Sequence, residues 1–382
     1  MKPFPSRLPY ALALVAILVL AALLAYPRPG VRVATLKPLS LPMDDQGPRP
    51  ATNALPPRIR VATYNLEHYT DGRYDGVLRT AEVAARQTAG AAEIIAEANP
   101  DILVLEEIEN PAALRALNAA LPIPYPYAYI TRYLTSSSIP DRLNEALLSR
   151  IPPAEVRQLG FHRLPRHRRP TRGALAARFS LAPGRDLLVY GVHLKSNFGD
   201  PPRNIAQRSI ALHLLAADAE AERYASYPRA ALSVLILGDT NVDPENEQFA
   251  ADPSFAALAG GYTDLWLGVP LPARTTIPTR HAGPNGDTNL VFPPSAFDRI
   301  FASKDLTSPP APYAPPPNLP PPAPDDPAAA NRFPHAPPPS YAISLPVSIQ
   351  RGCATHDNLL QPGMGGHVSD HYLAYADITP VP

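Results

Sequence analysis

Cysteine is almost missing from this 382-residue chain, with Cys353 as its single thiol. That excludes an internal disulfide and a cysteine-rich zinc site, and no disulfide-linked partner is predicted. Charge of one sign is not in excess either, because 34 basic residues face 34 acidic ones. A protein that coats nucleic acid through a strongly basic surface is therefore excluded, and any polyanion contact must be local. No internal repeat is evident. What the chain has in abundance is proline, 52 residues, much of it gathered in two low-complexity stretches.

The N-terminus reads as an address. Lys2 and Arg7 precede an apolar run from Tyr10 to Tyr26 followed by PRPG, the pattern of an export signal or a signal anchor. The run is intermediate between a signal-peptide core and a full membrane span, and Leu23 to Ala25 fit a small-x-small cleavage site poorly. Export with a membrane tether or late cleavage is expected, giving a periplasmic, cell-surface or secreted protein; a buried core helix is the other reading. Residues 27–57 are Pro-rich and read as a linker. A folded domain is expected over 58–382, with a second Pro-rich stretch at 308–340 as an exposed excursion unable to supply amides to a ladder.

Between these stretches, strand-like runs alternate with helical ones such as Thr80 to Ala98 and Asn204 to Ala225. Strands this continuously apolar are buried on both faces, which points to an α/β fold. Six runs share one feature: RVATYNLEHY, ILVLEEIEN, LLVYGVHLKS, VLILGDTNVD, FDRIFAS and VSDHYLAYADI each carry carboxylates, amides or a histidine at one end. Any one of these is an ordinary polar turn. Six together describe a convergent site. Carboxylate and amide oxygens are hard ligands suited to Mg²⁺ or Mn²⁺, and histidines add proton transfer and phosphate donation.

In that order, the motifs resemble the endonuclease/exonuclease/phosphatase superfamily from about Arg58 to Ile378, with wording most similar to its secreted bacterial nucleases. The resemblance implies two mixed β-sheets packed as a sandwich with helices on the outer faces, a four-layer deoxyribonuclease-like fold. It also implies roles. Glu107 is the principal metal carboxylate, with Asn65, Glu67 and Asp370 beside it. His193 contacts the scissile phosphate; Asp239 and Asn241 position water and phosphate; Asp298 orients the acid/base His371. Glu106 stands where the family usually has Gln, and Arg142 where abasic-site enzymes have Tyr, which counts against repair-type specificity. Glu145 reads either as a partner of His193 or as a surface residue.

From Arg157 to Arg172 there are six arginines and two histidines in sixteen residues. Clustered guanidinium forks suit phosphates, so Arg166, Arg168, Arg169 and Arg172 are expected to bind a nucleic-acid substrate; a basic loop facing an anionic membrane is the alternative. The resulting expectation is an exported, Mg²⁺- or Mn²⁺-dependent nuclease acting on DNA or RNA. A lipid or small-molecule phosphodiesterase, sphingomyelinase-like or inositol-phosphate-like, is the rival enzyme. An inactive binding module is disfavoured because the motif residues are intact.

Overall fold

A computed structural model describes residues 57–73, 80–134, 138–161, 164, 169–226, 230–278, 293–307 and 368–379, and the backbone of short strands at 34–36, 39–40, 280–282, 290–292, 340–343, 348–350 and 380–381. The apolar run at Tyr10 to Tyr26, Cys353, Arg166, Arg168 and residues 308–339 of the Pro-rich excursion lie outside the described residues. Among the described residues no helix is long and apolar enough to cross a membrane.

The strands form two sheets. In chain order they are β1 (Ala34–Leu36), β2 (Leu39–Ser40), β3 (Ile59–Tyr69), β4 (Ile102–Ile108), β5 (Tyr127–Ile130), β6 (Asn144–Ser149), β7 (Glu155–Gly160), β8 (Ala174–Ala182), β9 (Arg185–His193), β10 (Ala231–Asp239), β11 (Tyr262–Asp264), β12 (Arg280–Ala282), β13 (Leu290–Phe292), β14 (Asp298–Ser303), β15 (Ser340–Ile343), β16 (Ser348–Gln350) and β17 (Leu373–Val381). One sheet runs β1-β7-β8-β9-β10-β14-β11 and the other β15-β17-β3-β4-β6-β5-β2, with β16 also on β17 and β12-β13 a separate hairpin. Both sheets are mixed, since β9/β10 and β3/β4 are parallel pairs among antiparallel neighbours. The stretch read as a linker is not wholly a spacer. Its β1 pairs with β7 and its β2 with β5, covering one edge of each sheet, as exposed edges require.

Period-two side-chain alternation explains why the strands read as unbroken apolar runs. In β10, Leu235 and Leu237 face the inter-sheet core while Val234 and Ile236 face outward; in β9, Val189 points in and Leu188, Tyr190 and Val192 point out. Helix α1 (Ala81–Ala98) and α2 (Pro111–Ala120) cover the outer face of the β3/β4 sheet, where Tyr64, Leu66, Leu103 and Leu105 meet Ile94, Ile95, Leu114 and Leu117. Helix α3 (Pro201–Ser226) covers the other sheet through Leu212 and Leu215. The four-layer sandwich expected from the motifs is the fold observed. Both predicted helices are present, α1 starting behind the Thr80 cap, whose side chain accepts from Val83 N, and ending at Asn99 in the left-handed region at φ 47°.

Candidate active site

Register places the chemistry. Asp239, the last residue of β10, lies level with His193, the last of the parallel β9, and with Asp298, the first of the antiparallel β14. In the other sheet Asn65 of β3 lies level with Glu106 of β4, and the antiparallel β17 is entered just after Asp370 and His371. FDRIFAS and SDHYL thus carry their polar residues at the beginning, where the other tips carry theirs at the end. Antiparallel direction brings all six to one edge of the sandwich.

Local backbone aims them. The β3/β4 pairing jumps from Asn65–Glu106 to Tyr69–Ile108, a bulge of the kind that redirects a side chain. Within it Glu67, His68 and Glu107 adopt φ of 45°, 51° and 63°, and Asn241 adopts 56°. These are four of the six described non-glycine residues with positive φ, and such conformations cost about 1–3 kcal/mol each unless the surroundings impose them. Gly238 has a distinct reason to be glycine: at its φ of 141° an added Cβ would lie 1.9 Å from the Val192 carbonyl oxygen. No side chain fits there, so Asp239 can approach β9 closely.

The side chains form one network. Asn65 Nδ2 donates to Glu107 Oε1 at 3.3 Å and to Asp239 Oδ2 at 3.2 Å, while its Oδ1 accepts from the Glu67 amide at 2.9 Å. The His68 amide donates to Glu107 Oε2 at 2.8 Å. Asp239 accepts from the Asn241 amide at 2.9 Å and from Asn241 Nδ2 at 3.0 Å. His193 Nε2 lies 3.6 Å from both Glu107 and Asp239. His371 Nδ1 meets Asp298 Oδ2 at 2.7 Å, leaving Nε2 3.6 Å from Asp370 and 3.9 Å from Asp239. Ser369 ties this end down by donating to the Asn65 carbonyl at 2.6 Å, and the Asp370 amide donates to Glu67 Oε2 at 3.1 Å.

Electrostatics separate the groups. His371 is buried, which lowers its pKa, but the carboxylates of Asp298 and Asp239 outweigh burial and raise it to about 9. It is an imidazolium at neutral pH. Burial raises Asp239, opposed by His371 and supported by Asp298, to about 6. Burial, then the Arg172 charge, drives His193 well below the usual imidazole range, so it is neutral. For Glu107, burial works upward but His193, His68 and the His68 amide hold it down at about 2. With His193 uncharged at neutral pH, the His68 amide and Arg172 keep Glu107 ionised there. Two titratable neighbours pushed apart in this way are the pattern of an acid and a base.

Three residues differ from what the sequence alone suggests. Glu145 is no surface residue: fully buried on β6, it accepts from the His193 amide at 3.0 Å, the Leu175 amide at 2.8 Å and Tyr133 Oη at 2.7 Å. It pairs with the His193 backbone rather than its ring, and burial pushes it up to about 8. Glu106, also buried, accepts from Thr63 Oγ1 at 2.5 Å, and burial followed by Asp298 raises it well above the carboxylate range. A protonated Glu106 is the neutral equivalent of the expected Gln. Arg157, first of the arginine strip, is not free for substrate: it is buried against Asp218 at 3.0 Å and Glu222 at 3.1 Å. Of the four arginines expected to bind substrate, Arg169 donates to the Leu164 carbonyl at 3.0 Å. Arg172 is half-buried and near enough to influence Glu107, His193 and Lys195.

Among the described residues no three His, Cys, Asp or Glu side chains close into a metal cage. Mg²⁺ does not need one, since it keeps several waters and takes one or two carboxylates together with substrate phosphate oxygens. The carboxylates of Glu107, Glu67 and Asp370 are hard oxygen donors that fit such an ion, and Glu107, held ionised, is the best-prepared ligand. Asn65 turns its amide donors, not its oxygen, to Glu107 and Asp239.

The family model described as the Endonuclease/Exonuclease/phosphatase family matches residues 62–371. Among solved structures, an endonuclease/exonuclease/phosphatase from Beutenbergia cavernae is similar at 14% identity and TM-score 0.50, covering 85% of this chain and 72% of its own. A family protein from Bacteroides thetaiotaomicron is similar at 15% identity and TM-score 0.50, covering 84% of this chain and 97% of its own. TDP2 from Caenorhabditis elegans is similar at 16% identity and TM-score 0.50, covering 84% and 74%. No curated protein matches the chain. Since the matched span runs through all six strand tips, the chain belongs to the endonuclease/exonuclease/phosphatase family, whose members are phosphodiesterases and phosphatases that generally use divalent metals.

Proposed function

We propose that this protein is an exported nuclease, hydrolysing phosphodiester bonds of DNA or RNA with Mg²⁺ or Mn²⁺ held by Glu107, beside Glu67 and Asp370. The observation that carries the reading is the pairing of an imidazolium at His371 with a carboxylate at Asp239 across 3.9 Å. A phosphodiester resists attack because its anionic oxygens repel the nucleophile. When bound, the cation would supply the neutralising charge. Asp239, aligned by Asn241 and Asn65, orients the water and takes its proton. His371, held by Asp298, donates a proton or hydrogen bond to the phosphoryl group, a role worth about 10² to 10⁴ in rate. Neutral His193 hydrogen-bonds a phosphate oxygen, its height set by the Glu145 contact to its amide. Export, with a tether or late cleavage at the N-terminal run, is part of the proposal and rests on the sequence from Lys2 to Tyr26.

The test is a substrate panel on the purified full-length protein: plasmid DNA, RNA, sphingomyelin and sugar phosphates, each with and without chelator. Chelator-sensitive cleavage of DNA or RNA supports the reading. Turnover of lipid or sugar phosphate alone replaces it with the rival phosphodiesterase.

A further inference from the structure

The loop leaving β9 carries an exposed aromatic whose backbone the fold pins. Phe198 is 80% exposed, yet its own carbonyl accepts from Lys195 Nζ at 3.0 Å and from Asn204 Nδ2 of α3 at 3.0 Å. The residue before it, Asn197, donates through Nδ2 to the carbonyl of Asn241 at 2.8 Å. Arg208 of α3 closes the loop from behind, donating to the Lys195 carbonyl and to Asn197 Oδ1, both at 3.0 Å. Loop tips with exposed apolar side chains are ordinarily loosely tethered. This one is fixed by side-chain hydrogen bonds from Lys195, Asn197, Asn204 and Arg208; it follows His193 in the chain and is tied to the Asn241 carbonyl, which places it beside two members of the reactive cluster.

Its electrostatic surroundings are cationic. Burial and then the charges of Arg172, Arg208 and Arg203 lower Lys195 below the usual lysine range; Arg208 is buried and ion-paired with Asp252 and Lys195 Nζ is turned into the loop, so exposed Arg203 and half-buried Arg172 are the cations that face a ligand. An exposed aromatic face on a pinned backbone beside positive charge is the combination that receives single-stranded nucleic acid, with a base stacked on the ring and phosphates beside the cations. A lone ring on a polar loop, by contrast, offers a bilayer little apolar area.

We propose that Phe198 is a stacking platform for a nucleobase of a single-stranded substrate, next to the bond to be cut, and so a specificity-determining residue. The proposal deepens the nuclease reading and rests on it. It assigns to the pinned loop the choice of unpaired, base-bearing strands over duplex or base-free chains.

Fluorescence tests it separately from turnover. The only tryptophan, Trp266, is fully buried, so Phe198→Trp introduces an accessible indole at the proposed platform. Titration with a phosphorothioate oligodeoxythymidylate, resistant to hydrolysis, should quench that emission, whereas a chain of the same length bearing abasic spacers should not. In parallel, Phe198→Ala should raise KM for the ordinary oligonucleotide about tenfold with kcat nearly unchanged, and Phe198→Tyr should restore it. Equal quenching by both chains, no quenching by either, or a blue shift on phosphatidylglycerol vesicles instead would overturn the proposal. If the platform is quenched by bases but the wild-type chain cuts no nucleic acid, the nuclease reading fails while the binding site stands.

Discussion

Asp298→Asn tests the electrostatic core of the site. The substitution keeps the shape of the side chain and removes the charge 2.7 Å from His371 Nδ1. The carboxylates of Asp298 and Asp239 raise His371 from 6.5 to about 9 against the opposing effect of burial, a difference of ~3 kcal/mol at 1.36 kcal/mol per pH unit. Asp298 is the larger contributor. With it gone, burial is opposed chiefly by Asp239, and the imidazolium should be lost more than about one pH unit lower. An amide also leaves the ring free to take the wrong tautomer, so kcat/KM at neutral pH should fall about 10² to 10⁴. The assay is kcat/KM against pH. Wild type should be bell-shaped, with an acid limb near 6 from Asp239 becoming a carboxylate and an alkaline limb near 9 from His371 losing its proton. In the variant the alkaline limb should move down. The sign for stability is the same: a raised histidine stabilises the fold fully below its unfolded value near 6.5, and the contribution is lost as pH rises through about 9. A variant whose rate falls while its alkaline limb stays in place would show that this limb does not report His371.

Three other substitutions probe the neighbouring groups. Glu107→Gln should leave the fold intact, abolish most turnover and raise the metal concentration needed for the remainder, read by titrating Mg²⁺; unchanged activity at low Mg²⁺ would remove Glu107 from the site. Asp243 is buried between Arg274 and Arg299 and accepts the Ala296 amide, so Asp243→Ala should cost about 3 kcal/mol by stripping Arg274 of its close buried partner and leaving it only the more distant Glu245, while Arg299 keeps Asp264, measured by denaturant unfolding. Replacing Arg166, Arg168 and Arg169 by Ala should lower the slope of log affinity for nucleic acid against log salt by about 0.7 to 0.9 for each phosphate no longer neutralised; an unaltered slope would discard the arginine strip as the track.

The strand tips are legible because physics writes them plainly. A strand buried on both faces reads as an apolar run, and its polar residues stand out at one end. What the linear sequence conceals is direction and register. Nothing in NEALLS announces that Glu145 points into the protein beneath β9, since all six residues of β6 are buried and only the pairing of the sheets puts amides within its reach. Likewise Arg157 looks like part of a basic strip, but β7 turns it toward Asp218 of α3. The left-handed conformations of Glu67, His68 and Glu107 arise from a bulge between two strands distant in sequence. Composition carries no trace of that. Glu106 reads as a departure from Gln, and only its burial explains why an acid is tolerated there.

The proposal that one edge of the sandwich hydrolyses a phosphodiester rests on Asp239 and His371 as its working pair. It is tested most directly by incubating a dye-labelled oligonucleotide with wild type, Asp239→Asn and His371→Ala, in Mg²⁺ or Mn²⁺ and again with excess chelator. Wild type should give fragments with metal and none with chelator, and both variants should be slowed at least about 10²-fold. Cleavage that persists in chelator, or variants that cut as fast as wild type, would contradict it.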